Sequence, residues 1–122
     1  MTLLVVADDH DDIRMIMARV LRRAGYTVVE AADGAEALRA VREQSPAAVV
    51  SDIDMPVMSG IDLCRELRAD PATRDLPVIL VSGSLLPGDE RPAQAQATAV
   101  ITKPFAPQGL VESVRALVPS AG

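Results

Sequence analysis

Three aspartates, a serine and a lysine carry the chemistry open to this sequence. Asp8 and Asp9 follow the apolar run Leu3 to Ala7, Asp52 closes the run that starts at Ala48, Ser82 closes the run from Val78, and Lys103 follows Val100 to Thr102. Clustered carboxylates repel one another unless a cation joins them, and a hard divalent ion suits oxygen donors. Mg2+ usually takes only one or two protein carboxylates, so positions stay open for water and phosphate oxygens. Lys103 supplies a mobile point charge and Ser82 a hydroxyl, both suited to the oxygens of a transferring phosphoryl group. No set of His or Cys accompanies the acids, which disfavours zinc.

These residues are far apart in the chain, so the elements between them must bring them together. Short β-branched runs alternate with helical patterns, the signature of a parallel sheet with crossover helices, an α/β doubly wound fold. Five runs read as strands: Leu3 to Ala7, Thr27 to Glu30, Ala48 to Asp52, Val78 to Ser82 and Val100 to Thr102. Each is apolar enough to be buried on both faces. In such a sheet, ligands bind at the carboxyl ends of the strands, where all five side chains fall.

The first helix places Ile13, Ile16, Met17, Val20 and Leu21 on one stripe and stops at Gly25, with Asp11 or Asp12 as its expected cap. The second starts at Asp33, with Glu36 as a capping-box partner, and ends at Ser45 and Pro46. A third runs from about Ser59 through Leu67, and the fifth puts Leu110, Val111, Val114, Leu117 and Val118 on one side. The fourth crossover carries Pro87, Gly88 and Pro92 and no large apolar residue from 87 to 98, which predicts a short helix near Pro92 to Ala97. His10 reads as a solvated or capping side chain, and Cys64 as a small residue on the third helix's apolar stripe.

The chain has 122 residues, the length expected of one domain over 1–122. Its net charge of −5, with no dense Lys or Arg cluster, argues against direct nucleic-acid binding. A single cysteine allows no internal disulfide, the opening MTLLVVADD has no basic n-region, and no apolar run approaches the roughly 20 residues that span a bilayer. Together these predict a cytoplasmic protein without a membrane partner. The ending Pro119 to Gly122 reads as a terminus or as the start of a linker.

Val6-Ala7-Asp8-Asp9, Ser51-Asp52-Ile53-Asp54-Met55-Pro56 with Gly60 behind it, Val81-Ser82-Gly83 and Lys103-Pro104-Phe105 resemble the receiver domains of two-component response regulators. The resemblance covers nearly the whole chain in the family's order. It implies a flavodoxin-like sheet of order 2-1-3-4-5 flanked by five helices. A receiver protein is itself a standard example of that doubly wound order.

By resemblance, Asp52 is the phosphoacceptor. Asp9 and Asp52 hold Mg2+, with Mn2+ as an alternative, Asp8 acts through water, and the backbone carbonyl of Asp54 completes the set. Ser82 and Lys103 bind the phosphoryl oxygens, Gly83 keeps the neighbouring space open, and Lys103-Pro104 is expected to be cis. The implied partners are a sensor histidine kinase or phosphotransfer protein as donor, and an output protein or fused output domain as target. The resemblance implies a switch that catalyses only its own phosphorylation and dephosphorylation. Two other readings use the same residues: a metal-dependent hydrolase with Asp54 as its second acid, and a pseudo-receiver that only binds partners. The family often has an aromatic residue three positions before the lysine, where this chain has Val100, so the route by which a signal leaves the site is expected to be atypical.

Overall fold

The computed structural model describes residues 2–119, so the reading of the last residues as terminus or linker lies largely outside it. Five strands alternate with five helices: β1 (Leu3–Ala7), α1 (Asp11–Arg23), β2 (Thr27–Ala31), α2 (Gly34–Gln44), β3 (Ala48–Asp52), α3 (Gly60–Ala69), β4 (Val78–Ser82), α4 (Arg91–Gln94), β5 (Ala99–Thr102) and α5 (Pro107–Leu117). All pairings are parallel and the strand order is β2-β1-β3-β4-β5.

Because side chains alternate across a strand, each central strand feeds two cores. Val5, Val49, Val78 and Leu80 pack with Leu38, Val41, Leu63 and Leu67 of α2 and α3. Leu4, Val6, Val50, Ile79 and Val81 pack on the other face with Met17 and Leu21 of α1 and Leu110 and Val114 of α5. Cys64 is buried in the first of these cores, where desolvation raises its thiol pKa.

Burial on both faces holds for β3 and β4 and for nearly all of β1, but not for β2 and β5. These two are the sheet edges, and β5 alternates half-buried Ala99 and Ile101 with exposed Val100 and Thr102.

The helix ends follow local chemistry, with two corrections. Asp33 accepts the Glu36 N–H at 2.8 Å, and Ser59 accepts the Asp62 N–H at 3.1 Å. His10, not Asp11 or Asp12, occupies the N-cap of α1; the two aspartates lie in its first turn, where they favour the helix dipole. Helix α4 is only four residues long and does not reach Ala97. Lacking large apolar residues to bury, the chain turns instead at Gln96 (φ 61°). Arg68 of α3 fixes that turn by donating to the carbonyls of Gln96 and Leu76 and to Thr98 Oγ1.

Candidate functional site

The parallel register ends β1, β3 and β4 side by side, with Ala7 opposite Ser51 and Asp52 opposite Val81. Asp8, Asp52 and Ser82 are thereby buried at one end of the sheet. Two close backbone approaches shape the rim. A Cβ on Gly60 would collide with the Asp52 carbonyl, and one on Gly34 with the Met58 carbonyl. Crowding makes no such demand at Gly83, where a Cβ would meet Lys103 Cβ at 3.5 Å, an ordinary contact.

Lys103, at the end of β5 and before a cis Lys103-Pro104 bond, reaches between two acids. Its Nζ lies 3.1 Å from Asp52 Oδ1 and 3.2 Å from Asp8 Oδ2. Burial lowers the lysine's pKa, but its bonds to Asp52 and Asp8 outweigh that and leave it raised. Burial also raises the Asp52 pKa, the Asp8 charge adds to the rise, and Lys103 only partly offsets both. One lysine does not balance this group of carboxylates.

The donor set fits a divalent cation. Asp9 Oδ1 is buried without a hydrogen-bond partner, and ligand atoms of Asp8, Asp9, His10 and Asp52 all lie within 4.8 Å of one another. An orphaned carboxylate oxygen in a repulsive cluster is what a hard ion relieves. His10, read from sequence as merely solvated or capping, belongs to this group; its neighbours in the chain carried the signal, since it directly follows the acidic pair.

Sequence reasoning also missed Ser84. Its hydroxyl donates to Asp54 Oδ2 at 2.6 Å and lies 3.3 Å from Ser82 Oγ, and its N–H donates to Ser82 Oγ at 3.1 Å. The carboxylate of Asp54 is thus tied to the β4 loop. Nothing local in the sequence marks a bond between residues thirty apart.

A parallel five-stranded sheet with acids, a hydroxyl and a lysine at its carboxyl end defines a phosphoryl-handling α/β switch module. Comparison with known proteins makes the class specific. The family model for the response regulator receiver domain matches residues 4–115, and the chain belongs to that family. The transcriptional regulatory protein PrrA of Mycobacterium tuberculosis is 40% identical over 120 residues, which cover 97% of this chain and 50% of PrrA. The DNA-binding response regulator MtrA of Mycolicibacterium smegmatis is 36% identical over 93% of this chain and 49% of MtrA. The chain thus spans about half the length of these relatives.

Among solved structures, the chemotaxis protein CheY4 of Vibrio cholerae superposes with a TM-score of 0.90 at 28% identity, covering 97% of this chain and 99% of CheY4. The receiver domain of sensor histidine kinase PA1611 from Pseudomonas aeruginosa, with a magnesium ion coordinated in its active site cleft, gives 0.89 at 29% identity, covering 98% of each chain. The flavodoxin-like order implied by the sequence motifs is therefore the observed one, and the module is a phosphoacceptor switch of two-component signalling. No helix among the described residues is long and apolar enough to cross a membrane.

Proposed function

We propose that Asp52 accepts the phosphoryl group, with residues 1–122 acting as one receiver unit. The observation that carries this is the pairing of buried Asp52 with Lys103 at 3.1 Å, at the end of the sheet where Ser82 is also buried, one residue past the β4 partner of Asp52. A carboxylate oxygen of Asp52 attacks phosphorus, the bond to the donor's nitrogen or oxygen breaks, and an acyl phosphate forms. Lys103 can then exchange its carboxylate contact for a phosphoryl oxygen, and Ser82 can leave Ser84 to donate to another. Asp9, Asp52 and the Asp54 carbonyl would hold Mg2+, with Asp8 acting through water, and the ion would neutralise charge on the phosphoryl oxygens.

The donor in this reading is a sensor histidine kinase or phosphotransfer protein in the cytoplasm. A groove of about 390 Å³ lined by Ile13, Ile16, Lys103, Pro104, Phe105 and Pro107 offers it an apolar platform beside the lysine. The target is an output protein or fused output domain, a reading supported by the half-length match to PrrA and MtrA. Direct nucleic-acid contact by this chain is not part of it, given the net charge of −5. The hydrolase reading loses ground because the one candidate second acid, Asp54, is held by Ser84.

Incubation with acetyl phosphate and Mg2+ followed by peptide mass spectrometry tests the assignment. The modified peptide should contain Asp52, and Asp52→Asn should abolish the modification because an amide is no anionic nucleophile. A phosphopeptide elsewhere in the wild-type chain would refute it.

A further inference from the structure

We propose that His10 is a nitrogen ligand of the divalent-metal site, which turns its preference from Mg2+ toward a first-row transition ion such as Mn2+. The inference rests on the metal reading of the acidic cluster above. His10 Nδ1 lies 3.2 Å from Asp9 Oδ1 and 3.3 Å from Asp8 Oδ1. Adjacent ligands on an octahedral ion with bonds of about 2.1 Å are about 3 Å apart, so the His10 and Asp9 atoms already have the spacing of neighbours in one coordination shell. Asp9 Oδ1 has no hydrogen-bond partner, so its contact with the ring nitrogen is an ion pair only if the ring is protonated. With a neutral ring, the two atoms are spaced as two donors that one ion could share.

The backbone puts the ring there. The His10 N–H donates to Asp8 Oδ1 at 2.9 Å, and the residue holds an extended conformation at the start of α1 (φ −87°, ψ 111°). The side chain is 65% exposed, so no packing fixes it away from the acids. Neutral imidazole with its proton on Nε2 presents Nδ1 as a lone-pair donor. Imidazole nitrogen suits borderline first-row ions, while Mg2+ favours oxygen. The competing use of the ring is a hydrogen bond to Asp8 Oδ1, which at 3.3 Å is long and shares an oxygen already accepting the His10 backbone N–H.

Pulsed electron paramagnetic resonance of the full chain loaded with Mn2+ separates these uses. Wild type should show hyperfine coupling from a directly bound 14N that His10→Asn lacks, although Asn keeps an amide able to donate to Asp8. Calorimetric titration should show His10→Asn weakening Mn2+ by about tenfold or more and Mg2+ by less than about twofold. Bound Mn2+ without 14N coupling, or equal losses for both ions, would overturn the proposal and leave the ring positioning Asp8. Failure of the underlying metal reading has a different signature: neither ion binds the wild type, or Asp9→Ala leaves both affinities unchanged, and the His10 proposal falls with it.

Discussion

Asp52 combines two properties that oppose each other. The proposed phosphoacceptor is buried, which would shield an acyl phosphate from water, but burial and the neighbouring Asp8 charge raise its pKa. The native state therefore holds the Asp52 proton more tightly than the unfolded chain does, so ionised Asp52 reduces stability above its folded pKa, and the penalty is relieved as pH falls through that value. Asp52→Asn should stabilise the metal-free protein at neutral pH by about 1 kcal/mol, a rise of about 4 °C in Tm. Thermal denaturation in EDTA checks this, and the gain should shrink at acid pH. A lower Tm would mean that the Lys103 pairing outweighs the repulsion. The neighbouring acids differ in how free they are. Asp8 already serves Lys103 and the His10 N–H, whereas Asp9 Oδ1 has no hydrogen-bond partner. Asp9→Ala should therefore weaken Mg2+ binding more than Asp8→Ala, and titration giving the reverse order would reassign the direct ligand.

Between β3 and α3, the loop that carries Asp54 contains a β-branched residue in the left-handed region. Val57 has φ 69° and is 84% exposed, so no packing compensates its strain. Val57→Gly should raise stability by about 1 kcal/mol in urea denaturation, because the native conformation costs glycine nothing there. On the output side, Val100 lies 42% exposed on edge strand β5, beside a groove of about 390 Å³ formed with Leu85, Gly88, Pro92 and Ala97. Its short side chain cannot swing between exposed and buried positions as a ring can. The contacts that can differ between the two states are those of Ser82, Ser84 and Lys103. Hydrogen exchange with beryllofluoride as phosphate mimic should protect the segment from Ser82 to Gly88 and α4 while β5 changes little. A change centred on Val100 would refute this route.

For the molecule as a whole, the charge cluster at one end of the sheet is a local instability set against two well-packed cores. An ion that binds only the folded chain adds stability by mass action, about 2.7 kcal/mol at a hundred times its Kd. Mg2+ should accordingly raise Tm by several degrees, EDTA should reverse the rise, and Asp9→Ala should abolish it. The same Tm with and without Mg2+ at millimolar concentration would count against occupation of the site.

Much of this was legible in the chain because it depends on near neighbours. Strand limits fell within one residue of the apolar runs, and the caps Asp33 and Ser59 and the stop at Ser45-Pro46 are short-range hydrogen-bond and steric effects. The acids, Ser82 and Lys103 were legible because parallel strands leave their polar residues at the same end. Strand order was not derivable from periodicity and came only with the family motifs. Which strands became edges, and hence the exposure of Val100, followed from that order. The Ser84 bond to Asp54, the Arg68 clamp on the Gln96 turn and the convergence of His10 with Asp52 were decided by the tertiary structure alone. Most of these contacts join residues tens of positions apart, and even His10 needs β1 and β3 in register before its ring can meet Asp52; no local propensity encodes that alignment.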